Sequence, residues 1–293
     1  MSSLLSQLSQ ETAATVAAAR DVVVCVGSGK ARPRTGLVVA PGEVATVAMV
    51  AEIGEAVPVH GPTGEIEAEV VGFDASSGIA LLSAPGLDRS ATVDDAAASV
   101  GALGVTIACP VPDGHEARLS MIRCVGGPTR LRGGRRVGGY IQTDSPRFSG
   151  FTASVLFSPT GGAIGMTMPA HRREESWLLP MSEIIRIVGE LREGTSVGTG
   201  YLGVQATAVE LPTPVGENAR GLLVTGVETD SPAEAAALQV GSFIVAVGET
   251  PTPTIEDLYD ALAGVREGQR MDVTLATTEG STRIVAVELV LRS

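Results

Sequence analysis

Residues Tyr140–Leu156 read YIQTDSPRFSGFTASVL. The run Tyr140-Ile141-Gln142-Thr143-Asp144 alternates and is rich in β-formers, which predicts a strand entering a barrel. A tight turn containing Gly150 follows, and Ser154–Phe157 is predicted as the return strand. The turn presents a hydroxyl on Thr152, with Phe151 before it and Ala153-Ser154 after it.

The whole chain, 293 residues, can hold two domains with separate cores. Hydrophobic residues make up 44% and aromatic residues only 3%, so Val, Ala, Leu and Ile must fill those cores. The 36 Gly and 17 Pro suit many short strands joined by tight turns. A net charge of -12 argues against nucleic acid as a main partner, because phosphate binding needs concentrated positive charge. Lys30 is the only lysine. Cys25, Cys109 and Cys124 lie far apart, without CxxC spacing or a nearby histidine. Buried free thiols are therefore expected, with neither a disulfide framework nor a metal site. His60, His115 and His171 are equally scattered, and no cofactor is expected. The first twenty residues lack a basic stretch followed by a continuous apolar core, and no apolar run reaches membrane-spanning length.

Outward from the central stretch, 2–20 has Leu4, Leu5, Leu8, Thr12 and Val16 at helical spacing, which predicts an N-terminal helix. From Asp21 the pattern switches to short strands at 21–26, 35–40, 43–50, 65–74 and 78–84, with Pro41-Gly42 as a turn. Residues 85–98 are polar and turn-rich and predict a connection. A second strand series begins at 99–110 and 115–127, and a basic, glycine-rich loop, RLRGGRRVGG, precedes Tyr140. After strands at 161–169 and 177–180, residues 182–194 predict a helix with Ser182 as N-cap and Gly194 as the stop. Small residues at 195–199 form a linker. Beyond it, Gly200-Tyr201-Leu202-Gly203-Val204 leads into a short helix in SPAEAAAL, a strand pair in VGSFIVAVGE, a helix over 254–262 and closing strands at 271–275 and 282–291.

These segments resemble the HtrA family of trypsin-like serine proteases with a C-terminal PDZ domain. The family's YIQTD, short turn and GNSGGPL align with the central stretch, where Gly150 and Leu156 match. AEVVGFDASSGIALL resembles the family's AEVVGTD…TDLAVL, and GYLGV resembles the opening of its PDZ domain. The resemblance implies a mainly β fold: an N-terminal helix (1–20), a trypsin-like double β-barrel (21–194) and a PDZ domain (195–293). It also implies a homo-oligomer, a trimer held partly by the N-terminal segment, although the same pattern fits a helix packed on its own domain. In the family the loop before Tyr140 senses peptide occupancy; a solvated basic loop is the alternative.

In the family's register the chemistry departs from the scaffold. The nucleophile position falls on Thr152, the general-base position on Met49, and the orienting carboxylate on Gly78, with Asp74 the nearest acid. Acylation needs a hydroxyl, a neutral imidazole to take its proton and a buried carboxylate to fix that imidazole. Without the last two, no catalytic residue is expected. Ala153 and Ser154 are expected to resist the backbone angles that the oxyanion turn takes with glycine, and Ser176-Trp177 to fill part of the cleft. The alternative is an active serine- or threonine-type endopeptidase with an unconventional site, in which Thr152, Ser149 or Ser154 is served by His171 or His60.

The PDZ resemblance implies capture of peptide or protein C-termini. Tyr201, Leu202, Gly203 and Val204 would form the carboxylate-binding loop, and Ile255, Leu258 and Leu262 would line the side-chain pocket beside it. The expected protein is a catalytically inactive, HtrA-like peptide binder acting as scaffold, chaperone-like holder or regulatory partner. The N-terminus as written points to the cytoplasm; a removed leader would place it in the periplasm or another extracytoplasmic space.

Overall fold

Short runs rich in Val, Ile, Leu and Ala build the first half of the chain into strands, most of them buried continuously and a few with alternating burial. The computed structural model describes residues 3–27, 33–47, 54, 56–74, 76–112, 114–131, 135–146, 151–168, 176–193, 198–215, 218–265 and 268–291. The chain divides into two compact units. One comprises most of residues 1–195; the other comprises 196–293 with two short segments, around Ser77 and at Arg130–Arg136.

In the first unit, α1 (Leu4–Ala19) precedes β1 (Val23–Val26), β2 (Arg34–Ala40), β3 (Glu43–Val47), β4 (Ala56–Gly61), β5 (Gly64–Asp74) and β6 (Ile79–Ser83). These six strands close into a barrel in the order β1-β2-β3-β6-β5-β4. A 3₁₀ turn, Asp95–Ala97, lies in the connection to β7 (Leu103–Val111) and β8 (Gly114–Gly126). A ribbon of β9 (Thr129–Arg130) and β10 (Arg136–Val137) precedes β11 (Tyr140–Thr143), β12 (Val155–Phe157), β13 (Ala163–Thr167) and β14 (Ser176–Pro180). The second barrel closes in the order β11-β14-β13-β12-β7-β8. The expected double barrel is therefore present, and Phe157, Leu156, Ile122, Ile141, Ile164 and Leu178 are fully buried in its second half.

Three local expectations are corrected. The N-terminal stripe does not pack along its length: Leu4 is 83% and Leu5 75% exposed, and only Thr15 and Ala19 of α1 are buried. The helix after β14, α2 (Met181–Arg192), has Pro180 at its N-cap, so Ser182 lies within the first turn. Its cap is supplied from the inter-barrel connection. Asp95 accepts from the Met181 N–H (3.1 Å) and the Ser182 N–H (2.9 Å), placing a carboxylate at the positive end of the helix. The buried face Ile184, Ile187, Val188 and Leu191 then lies along the barrels, and Arg192 grips Glu43 of β3 through two nitrogens. Replacing Asp95 with Ala is expected to cost about 1 kcal/mol. In a thermal melt followed by circular dichroism, this should lower the midpoint by roughly 2–4 °C. The third correction concerns β4, a strand that the sequence pattern does not announce; Pro58 sits within it.

Cys25 and Cys109, one from each barrel, are buried free thiols, and Cys124 is a partly buried one. A hydrogen bond from Cys109 holds the Cys25 thiol below its ordinary pKa.

The second unit contains β15 (Gly198–Tyr201), β16 (Val204–Val215), β17 (Asn218–Val227), α3 (Pro232–Ala235), β18 (Phe243–Val247), β19 (Thr250–Pro251) and α4 (Ile255–Ala261). It ends in β20 (Ala263–Val265), β21 (Arg270–Ala276), β22 (Thr282–Glu288) and β23 (Val290–Leu291). The main sheet runs β16-β17-β18-β21-β22, while β23 leaves it to pair with β15. Strand β16 is an edge. Its pairing with β17 continues from Val204↔Val227 to Glu210↔Arg220, lapses, and resumes at Val215↔Asn218. Pro212 and Pro214 stand exposed in the gap. Two short helices are capped as their residues suggest. Ser231 accepts from the Glu234 N–H, and Thr254 forms a reciprocal capping box with Asp257. Helix α3 is shorter than SPAEAAAL because Ala237 turns into the left-handed region (φ 57°).

Candidate functional site

Two places could carry function: the turn between β11 and β12, and the margin of the second unit's sheet.

Of the three positions assigned to a triad, Met49 lies outside the described residues, as do Gly150, Ser149 and His171. Gly78 ends the turn between β5 and β6 at φ +77°, with its N–H donating to Asp74 O at 2.7 Å. Asp74 is buried. Thr152 is half-buried in the turn before β12. Among the described residues, no imidazole or carboxylate is hydrogen-bonded to its hydroxyl. The two described histidines are held elsewhere. His60 Nε2 lies 3.5 Å from Glu65, and His115 Nε2 lies 2.8 Å from Val23 O. Both line one cavity with Arg20 and Asp21, and neither Thr152 nor Ser154 borders it.

The turn departs from expectation at Ala153, which does not resist the glycine conformation: it adopts φ 65°. A left-handed alanine costs about 1–2 kcal/mol, and local bonds offset it. Ala153 N–H donates to Thr167 O (2.9 Å), and the Ser154 N–H donates to Phe151 O (2.9 Å). The Ser154 and Thr167 hydroxyls are 2.9 Å apart, and Thr167 also donates to the Phe151 carbonyl. Ser154 is thus a buried structural hydroxyl. Trp177, 9% exposed, stacks on Tyr140 with centroids 5.6 Å apart and planes inclined by 18°. Gly126 lies directly beneath Tyr140; a Cβ there would meet the ring, including Cδ1 at 2.7 Å. Ser176 donates to Ser145 O.

The second place is a groove of about 320 Å³ between the first residues of β16 and helix α4. All seven residues assigned to peptide binding border it: Tyr201, Leu202, Gly203, Val204, Ile255, Leu258 and Leu262. They differ in role. Leu202, Leu258 and Leu262 are buried members of the unit's hydrophobic core and form the floor. Val204 and Ile255 are half-buried and form the walls. Gly203 has φ +78°, and a Cβ on it would run into Ser231. Among the described residues, the outer edge of β16 has no strand partner. Sequence reasoning missed Tyr259, Gln205, Thr225 and Glu228, which also line the groove. The spacing from Ile255 to Tyr259 was a usable signal, one helical turn apart on the same face. Glu228 is 24 to 27 residues from the loop it joins and gave none.

Of the basic loop, Arg130 belongs to the second unit, where it lies 2.5 Å from Asp260 and donates to Glu256 O at 3.3 Å. It is therefore not merely solvated.

The family model described as PDZ domain matches residues 223–277. A probable periplasmic serine endoprotease DegP-like from Rhizobium meliloti is 27% identical over 288 residues, covering 90% of this chain and 55% of that protein. Its counterpart from Pseudomonas fluorescens is 26% identical over 221 residues, covering 71% and 45%. The crystal structure of the serine endoprotease from Yersinia pestis superposes with a TM-score of 0.69 at 22% identity, over 96% of this chain and 98% of that one. The chain is similar to HtrA-type proteases over most of its length. The HtrA-type protease AlgW with a decapeptide gives a TM-score of 0.64 at 20% identity, over 96% and 99%. Both likenesses extend over nearly the whole of this chain, so its fold of two barrels followed by a PDZ domain is shared with them. The chain spans about half the length of the curated relatives it matches.

Among the described residues, no cluster of His, Cys, Asp and Glu could hold a metal, and no helix is long and apolar enough to cross a membrane.

Proposed function

We propose that this protein is an HtrA-like binder of polypeptide C-termini or extended apolar segments that does not cleave them. The observation that carries this reading is the groove beside the open edge of β16, with a glycine-bearing loop at one end and an apolar floor. An incoming chain end adds as a strand through its backbone, and its last side chain enters the floor. Loss of proteolysis is supported by the residues at the three triad positions: Met49 has no titratable group, Gly78 has no side chain, and Thr152 is an alcohol without an assigned base. The competing reading, an active endopeptidase, is favoured by the names of the curated relatives, which are called serine endoproteases.

Those relatives are also called periplasmic. This supports an extracytoplasmic location over the cytoplasmic one expected from the N-terminus. The exposed Leu4, Leu5 and Leu8 support a contact between copies through α1.

Fluorescence anisotropy with labelled peptides ending in an apolar residue tests the groove. Binding is expected to survive Thr152→Ala and to weaken at least about tenfold in Ile255→Asp, which sets a charge on the apolar wall. Ile255 is the better probe than Leu258, because Leu258 is 6% exposed in the core and an aspartate there would unfold the unit. Equal binding by wild type and Ile255→Asp would place the ligand elsewhere.

A further inference from the structure

The groove's polar margin carries a charge of one sign. Among the described residues lining it, Glu228 is the only acidic or basic one. Its backbone N–H donates to Gly203 O at 2.9 Å, which ties it to the loop, and its carboxylate accepts from the Tyr201 hydroxyl. That hydroxyl fixes the carboxylate in place without cancelling its charge. The surroundings do not cancel it either. Residues 196–293 contain thirteen acidic and five basic side chains. Arg270 is paired with Glu288, Arg220 stands opposite Glu210 across the β16–β17 ladder, and Arg130 is paired with Asp260.

Resting on the binding function proposed above, this placement sets a condition on the guest. A free chain end brings a negative carboxylate to a loop that already has one beside it. An extended strand sends successive side chains to opposite faces. With the terminal side chain in the apolar floor, the penultimate one faces the exposed margin of Gln205, Thr225 and Glu228. We infer that the groove selects polypeptide C-termini with an apolar last residue and a lysine or arginine just before it, and that Glu228 reads the cation. A penultimate cation offsets the repulsion at the loop and meets a carboxylate already held in position. A penultimate acid adds a third negative charge.

The test uses the full chain and two labelled peptides that are identical apart from Lys or Glu at the penultimate position. At low salt the Lys peptide is expected to bind roughly tenfold more tightly, the sum of an exposed attraction and an exposed repulsion. The preference shrinks as salt is raised. In Glu228→Gln the ratio collapses to about twofold or less, and in Glu228→Lys it reverses. Equal binding of the two peptides to wild type, or a preference unchanged in both variants, overturns the inference and leaves the groove reading standing. No binding of either peptide overturns both.

Discussion

Incubated with casein, the purified protein is expected to release no peptides above background, and an active-site-directed phosphonate is expected to leave it unlabelled. A full triad is worth about 10⁶-fold in kcat, and losing the nucleophile or the base forfeits nearly all of that. On the proposed register a hydroxyl remains at position 152, and the positions for base and orienter fall on Met49 and Gly78. Restoring serine alone, Thr152→Ser, should therefore do nothing, since an alcohol was never the missing component. Adding Met49→His and Gly78→Asp should also fall far short. There is room for an aspartate, because a Cβ on Gly78 would meet nothing within 4 Å, but the backbone there is left-handed at φ +77°. A side chain added at that angle is strained and leaves in a direction set by the turn. Casein cleavage by the wild type that disappears in Thr152→Ala would sink the inactive reading.

The second large effect is expected from Gly203→Ala. The position combines two obstacles: φ is +78°, and a Cβ would overlap Ser231, with Ser231 Oγ only 2.6 Å away. Neither neighbour can yield easily. Ser231 caps α3, and the Leu202 and Gly203 carbonyls accept from Ala233 and Glu228. The loop must therefore move, and with it the N–H groups that would receive a chain end. Peptide affinity is expected to fall by more than ~30-fold, about 2 kcal/mol. The melting transition should also drop, because strained angles and overpacking each cost about 1–3 kcal/mol. Removing the obstructing Cβ with Ser231→Gly in the same molecule should recover part of the binding, but not the strain at φ. If Gly203→Ala binds peptide as wild type does, this loop is not the one that receives the carboxylate.

Much of this architecture could be read from the letters because its strands are short apolar runs bounded by turn residues, some of them alternating. GEIEAEVVGFD, for example, buries Ala68, Val70, Gly72 and Asp74 while exposing the residues between, apart from half-buried Phe73. The same is true of the PDZ helices, whose caps lie within four residues of what they cap. What escaped depends on distance or on ladder geometry. The partner of α2's first turn is Asp95, 86 residues earlier, and nothing in MSEIIRIVGELR points to it. Strand β4 was hidden by Pro58, yet the proline is tolerated for a simple reason. Its carbonyl faces β1, accepting from the Gly27 N–H, and in an antiparallel ladder its missing N–H would face the same way. The β1–β4 ladder ends at Val59, so no strand partner waits there for the lost donor. The groove residues were legible where resemblance or helical spacing named them. Glu228 was not, because only the folded sheet brings it beside Gly203.

The prolines of β16 have a consequence for crowded solutions. A naked sheet margin invites molecules to join end over end, each copy extending the sheet of the last. Pro212 and Pro214 have no amide hydrogen to donate, so the proline-free part of that margin runs only from Val204 to Leu211, with alternate N–H groups facing outward. A docking tail of a few residues fits that row. On the proposed binding function, the same segment disfavours pairing with a whole strand from a neighbouring copy while leaving room for a short chain end.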